Sequence, residues 1–235
     1  MIGRLQLNAD PASLREAYAA ARPFPHAVID GLFEDGVLDE MLAGFPAPSD
    51  PAWGHFENAQ ENKLGNYGRL EDLSQPIRSF LSALNAPPLL SFLETLTGID
   101  GLVPDPYFGG GALHQIVRGG FLKVHADFNW HPKLRLDRRL NMLVYLNRGW
   151  RSEWGGALEL WDREMSNPVA SILPTFNRTV VFTTTDWSFH GHPHPLSCPE
   201  GTTRKSVSLY YYSNGRPEAE RSAPHDTIFT APSSG

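Results

Sequence analysis

Three short pieces in the C-terminal half carry side chains that could do metal chemistry together. They are His125-Ala126-Asp127, the cluster His190-Gly191-His192-Pro193-His194, and Arg204-Lys205-Ser206. Two imidazole nitrogens and one carboxylate can occupy one face of an octahedral ferrous ion. Positions are then left open for a chelating co-substrate and dioxygen. An arginine further along can hold the far carboxylate of a diacid through paired N–H donors.

His125-x-Asp127 reads as part of a strand. Side chains alternate there, so Phe121, Lys123, His125 and Asp127 share one face, and the two candidate ligands stand about 7 Å apart. The triplet alone is a weak signal, because His-x-Asp arises easily by chance. The third ligand must come from elsewhere. After the apolar run Thr179-Val180-Val181-Phe182-Thr183-Thr184, three histidines alternate. The order of preference is His190, then His192, then His194. His190 is nearest the strand, and Gly191 after it permits a sharp turn. A histidine-rich surface turn is the competing reading. A zinc hydrolase is disfavoured, since neither a helical histidine pair nor a cysteine-containing ligand set is present. His26, His55, His114, His131 and His225 read as structural or surface residues, with His114 close enough to His125 to support a ligand.

Arg204, Ser206, Ser208, Tyr210 and Tyr212 alternate with Lys205, Val207, Leu209 and Tyr211. The face with Arg and Ser is polar and expected to be interior. A buried arginine needs an anion, either a ligand or a structural carboxylate. Asn141, Leu143 and Tyr145 share a face of another strand, so the Tyr145 phenol can reach the same anion or stay a core tyrosine.

The elements that must position these groups follow from periodicity. Expected strands are Leu113–Val117, Phe121–Phe128, Leu140–Leu146, Ala157–Trp161, Arg178–Thr184 and Arg204–Ser213. Six or more short strands with long hairpins suggest a jelly roll. Helices are expected from Pro11, capped by Asp10, over Glu34–Leu42, over Arg69–Leu84, and over Pro87–Thr97 with Gly98 as the stop. The chain therefore divides into a helix-rich part, 1–106, packed on a jelly-roll core, 107–213, followed by a polar tail, 214–235, all one domain. The tail either wraps the barrel or stays loose. A polar stretch, 58–68, reads as a loop that could close over substrate.

The 235 residues are 41% hydrophobic and 20% charged, with a formal net charge of −6. That balance argues against nucleic-acid or anionic-membrane partners. One cysteine, Cys198, excludes an intrachain disulfide. No signal peptide or spanning segment is evident, and a cytoplasmic setting is expected.

The motif strands Phe121–Phe128, Leu140–Asn147, Trp154–Leu160 and Thr203–Leu209, in this order and spacing, resemble the 2-oxoglutarate- and Fe(II)-dependent dioxygenases, in their prolyl-hydroxylase-like branch. Pro23–Asp30 looks like that branch's first strand. The resemblance implies a mostly β fold with flanking helices, built on a double-stranded β-helix (jelly roll, cupin-like). It implies His125, Asp127 and His190 as iron ligands. It implies Arg204 on the distal carboxylate of 2-oxoglutarate, assisted by Tyr145 and by Ser206 or Ser208. The His190-to-Arg204 gap is longer than in typical prolyl hydroxylases, so His192 stays open as a ligand.

The implied reaction is hydroxylation of an unactivated C–H bond, using dioxygen, with 2-oxoglutarate decarboxylated to succinate. Ascorbate is a possible support. The substrate is expected to be a small molecule or peptide, with a peptidyl or free prolyl-type amino acid as first guess. Another small metabolite, a non-catalytic jelly-roll binding module, and an oxygenase that needs no 2-oxoglutarate are the alternatives. Phe128 and the tryptophans near the motif strands could line the mouth or fill the core. The hairpin with Lys133, Arg135, Arg138, Arg139, Arg148 and Arg151 reads as a solvated face or as steering for an acidic substrate. The sequence leaves the oligomeric state open.

Overall fold

Two ten-residue strands, Leu136–Tyr145 and Arg204–Ser213, pair antiparallel and sort the fold into an apolar and a polar side. Leu140, Met142 and Val144 on the first, and Val207, Leu209 and Tyr211 on the second, enter one large core with the helices. Asn141, Leu143 and Tyr145, with Arg204, Ser206, Ser208 and Tyr210, line a cavity on the other side.

The computed structural model describes residues 5–66 and 69–230. In chain order its elements are α1 (Pro11–Ala20), β1 (His26–Asp30), α2 (Asp35–Ala43), β2 (Gly54–Glu57), β3 (Glu61–Gly65), α3 (Gln75–Leu84), α4 (Pro87–Thr97), β4 (Val103–Pro104), β5 (Ala112–Ile116), β6 (Phe121–Ala126), β7 (Trp130–His131), β8 (Leu136–Tyr145), β9 (Leu158–Trp161), β10 (Pro168–Ile172), β11 (Arg178–Thr183), β12 (His190–His192), β13 (Arg204–Ser213) and β14 (Ile228–Phe229). The sheet runs β1-β11-β8-β13-β5-β3-β6-β12-β9-β10, every neighbour antiparallel. It curls into the nearly closed barrel of a jelly roll.

The helices cover one outer face. α3 buries Ile77, Phe80, Leu81 and Leu84, and α4 buries Leu89, Phe92, Leu93 and Leu96. Each such side chain is worth about 1.5–3 kcal/mol when fully buried. The Phe80 ring meets Phe33 edge-on, with centroids 5.1 Å apart. α1 starts as expected, the Asp10 carboxylate accepting from the Ala12 N–H. Gly98 ends α4 in the left-handed region, at φ 73°.

Several expectations are corrected. The helix expected from Arg69 begins at Gln75, because Ser74 is extended and Pro76 sits in the first turn. Residues 58–66 are no lid. The Asn58 carboxamide oxygen accepts from Gln60 and Glu61 N–H and closes a hairpin, and β3 pairs with both β5 and β6. Residues 67 and 68 lie outside the described residues. The tail is anchored as far as it is described. Asn129 binds Ser222, Ala223 and His225, and β14 adds to β6. Residues 231–235 lie outside the described residues.

Candidate active site

β6 delivers His125 and ends at Ala126, so Asp127 stands just past the strand rather than within it. It still reaches the cavity that His125 lines. His190 does not stand at the sharp turn that the sequence suggested. It sits in its own short strand, β12, directly opposite His125. Gly191 serves a different purpose from the one expected. Its φ is not in the left-handed region. A Cβ there would lie 2.9 Å from the carbonyl oxygens of Leu122 and Lys123, so only glycine lets β12 press against β6.

His125, Asp127 and His190 each turn one potential ligand atom to a common point, all within 4.8 Å of one another. Among the described residues this is the one such His/Cys/Asp/Glu group. His125 Nε2 is 3.6 Å from Asp127 Oδ1, and His190 Nε2 is 3.5 Å from Asp127 Oδ2. Both imidazoles donate Nδ1–H to backbone carbonyls, His125 to Lys123 and His190 to Ser188. The proton is thereby fixed on Nδ1, and Nε2 keeps a lone pair for a metal. Burial lowers the His190 pKa to about 4, with Asp127 opposing and His125 adding to the effect. It is therefore neutral at physiological pH. Burial works against ionising Asp127, but the Arg138 guanidinium beside it holds its carboxyl well below the usual range. Two imidazoles, each with its Nδ1 tied to a carbonyl, and one carboxylate suit Fe(II). His194 is exposed and outside the group.

Arg204 is buried in the same cavity. Its Nε donates to the Gly156 carbonyl at 2.7 Å, and its Nη2 to the Tyr145 hydroxyl at 3.3 Å. Gly156 has φ 72°, and a Cβ there would meet the Arg204 side chain at 3.0 Å, so glycine is required twice over. No carboxylate pairs with Arg204 in the described structure. Tyr145 accepts from it and keeps its own O–H to donate. Burial, and no neighbouring acid, governs Tyr145, raising its pKa despite Arg204. Ser206 and Ser208 line the cavity beside them. The cavity measures about 280 Å³.

Sequence reasoning missed five contributors. Arg138, expected on a solvated hairpin, is 1% exposed and bonds Asp127 Oδ2 at 3.1 Å. Its guanidinium lies between the rings of Tyr210 and Phe128, 3.5 and 4.3 Å from their centroids. Asn141 was placed on the correct face but given no role. It donates to Asp127 Oδ2 at 2.6 Å and accepts from Arg138. Phe229 of the tail packs on His125, centroids 5.3 Å apart. Glu61 and Lys63, paired at 2.8 Å, line the cavity from β3. Arg139 is also buried, whereas Lys133, Arg135, Arg148 and Arg151 are exposed as a solvated face would be. Of the aromatic residues expected near the mouth, Phe128 lines the cavity, whereas Trp150 and Trp161 are core residues. His114 lines the cavity, bonded to the Gly110 carbonyl at 3.1 Å.

Residues 111–212 match the model of the 2OG-Fe(II) oxygenase superfamily. The chain is 28% identical over 209 residues to prolyl 3-hydroxylase OGFOD1 of Mus musculus, covering 84% of this chain and 36% of that protein. It thus spans about a third of the length of the curated relative it matches. Its fold resembles a Pseudomonas putida prolyl-4-hydroxylase at TM-score 0.57 and 15% identity, covering 87% of this chain and all of the other. A Trichoplax adhaerens prolyl hydroxylase, solved with a hypoxia inducible factor peptide, matches at TM-score 0.60 and 17% identity, over 86% and 89% of the two chains. HygX of Streptomyces hygroscopicus, solved with nickel and 2-oxoglutarate, matches at 0.52 and 14%, over 86% and 92%.

Proposed function

We propose that this chain, a 2-oxoglutarate/Fe(II)-type dioxygenase with the fold of the prolyl hydroxylases, hydroxylates an unactivated C–H bond of a prolyl-type amino acid, peptidyl or free. The observation that carries this is a single cavity. It holds the His125–Asp127–His190 face together with Arg204 and Tyr145, which have no protein anion to satisfy them.

His125, Asp127 and His190 would hold the metal, and Arg204 with Tyr145 would hold the distal carboxylate of 2-oxoglutarate. Once bound, the ion supplies dioxygen activation, coupled to decarboxylation of the co-substrate to succinate. The protein's part is positioning and dryness. Asn141 and Arg138 fix the Asp127 carboxylate. Phe128, Tyr210 and Phe229 give the cavity aromatic walls that suit a pyrrolidine ring and keep water out. Arg138 Nη1 is buried with no partner in the described structure. That donor suits the carbonyl of a bound prolyl residue, which favours a peptidyl substrate.

The relative's activity and the peptide bound to the Trichoplax adhaerens protein support the prolyl reading. A small-metabolite substrate is the second reading, favoured by a HygX structure that contains hygromycin B. No helix among the described residues is long and apolar enough to cross a membrane. A reducing, cytoplasmic setting, with ascorbate keeping the iron reduced, fits the single buried thiol of Cys198.

The test is turnover with Fe(II), ascorbate, 2-oxoglutarate and dioxygen, offering proline-containing peptides, free proline and small hydroxylatable metabolites. Succinate release and gain of one oxygen atom by a prolyl peptide are expected. Oxygen gain by the metabolites alone would support the second reading. No succinate under any condition would sink the enzyme reading. Unchanged turnover by Arg204→Ala would remove the 2-oxoglutarate clamp.

A further inference from the structure

His192 lies two residues past His190 on β12, is 4% exposed, and lines the same cavity as Arg204 and Tyr145. Neither of its ring nitrogens has a hydrogen-bond partner in the described structure. The two iron-binding imidazoles differ in this respect, since each has its Nδ1 tied to a carbonyl. His192 is also outside the cluster of ligand atoms that could share one ion. A neutral imidazole carries one N–H donor and one acceptor, and burying both unpaired is costly. A ligand in the cavity would complete both.

The surroundings define that ligand. Side chains alternate along β12, so His190 and His192 enter the cavity at successive levels, about 6–7 Å apart at the usual strand rise. One level holds the metal face. At the other, His192 shares the cavity with the cations Arg204 and Lys63. Lys63 is already paired with Glu61, and Arg204 has its Nε and Nη2 on Gly156 and Tyr145. An anion that enters the cavity to pair with Arg204 finds the unpartnered His192 ring among the groups lining the same cavity. We propose that His192 is a third direct donor, alongside Arg204 and Tyr145, to the distal carboxylate of the 2-oxoglutarate co-substrate. This rests on the dioxygenase reading above. His192 thereby helps distinguish a five-carbon diacid from a 2-oxo acid that lacks the second carboxylate.

The test is equilibrium binding, without oxygen and without turnover. Fe(II)-loaded protein is titrated with 2-oxoglutarate and with 2-oxopentanoate, which has the same chain length but no distal carboxylate. Isothermal titration calorimetry reads the dissociation constants for wild type, His192→Leu, His192→Gln and Arg204→Ala. His192→Leu is expected to weaken 2-oxoglutarate roughly tenfold or more, the size of a lost hydrogen bond to a charged group. It should leave 2-oxopentanoate within about twofold, and His192→Gln should recover most of the loss. Iron content and melting temperature of each variant establish that the site is intact. Equal weakening of both acids, or no weakening of either, would overturn the proposal. If His192→Leu loses iron as His190→Ala does, His192 is a metal ligand and the proposal also fails. If wild type binds 2-oxoglutarate no better than 2-oxopentanoate and Arg204→Ala changes neither, the dioxygenase reading has failed. If Arg204→Ala weakens only the diacid while His192→Leu does nothing, the assignment of His192 alone has failed.

Discussion

Asn141 Nδ2 donates to Asp127 Oδ2 at 2.6 Å, and Arg138 Nη2 reaches the same oxygen at 3.1 Å. Two donors from β8 thus hold one carboxylate oxygen, and Oδ1 is left facing His125 Nε2 at 3.6 Å. Groups that orient a ligand in this way commonly contribute 10- to 100-fold to metal affinity. Asn141→Ala is expected to weaken Fe(II) or Mn(II) binding by roughly 10- to 100-fold while the protein stays folded. Competition with a metal-indicator dye measures it. Wild-type affinity would mean that Asp127 needs no such support.

The geometry also separates the three histidines of the cluster. His190→Ala should abolish stoichiometric metal binding, and His194→Ala should leave it unchanged, because His194 is exposed and outside the ligand group. Metal content after dialysis distinguishes them. Metal loss in His194→Ala would overturn the ligand assignment.

Metal-free protein should lose stability as the pH falls from about 6.5. Burial, aided by Lys63, holds His114 down at about 3. Between that value and its unfolded value, the unfolded chain binds the extra proton and the folded one does not. Stability at neutral pH is therefore unaffected, and it falls on acidification with a slope of about 1.4 kcal/mol per pH unit for each such group. The depressed Asp127 acts in the same direction, since its contribution is present above the unfolded carboxylate pKa and lost only toward its own lower value. Denaturant titrations at pH 7 and pH 5 should show the fall, and His114→Gln should reduce it. Equal slopes for wild type and His114→Gln would contradict the assignment.

The described tail closes one side of the cavity through Phe229, which packs on His125, with Thr227 beside it. Phe229→Ala removes that wall without touching a ligand. It is expected to raise the ratio of succinate formed to product hydroxylated several-fold, because water and oxygen reach the site without substrate in place. Parallel assays of succinate and product give the ratio, and an unchanged value would show that the tail does not seal the site.

Helices and barrel share one core, so a helix substitution should unfold both. Phe80→Ala, at a fully buried position of α3, is expected to cost about 3–5 kcal/mol. Fluorescence and circular dichroism should report one shared transition. A separate early transition would mean that the helices fold independently of the sheet.

Much of this was legible in the chain itself. Period-two alternation put His125, Tyr145, Arg204 and Ser206 on the cavity side, because a strand with one apolar side has only one way to face the core. In β6, however, a register shift between Leu122 and His125 brings Leu122, expected on the opposite face, into the cavity in place of Lys123. Asp10, Gly98 and the proline-started helices follow from local backbone chemistry that no packing reverses. Which of His190, His192 and His194 stands beside His125 and Asp127 was not decided locally. It depended on β12 pairing with β6 across 65 residues, which Gly191 makes sterically possible. Arg138 shows the limit most clearly. By alternation from Asn141 it belongs on the outer face, yet it lies in the cavity. Between Tyr211 and Tyr212 the register with β8 shifts, so that Tyr212 opposes Arg138 and one residue of β8 goes unpaired. Such a bulge reverses which side the following residues face. It arises from the pairing of two strands distant in sequence, so only the folded sheet could turn a charge that reads as solvated into the partner of Asp127.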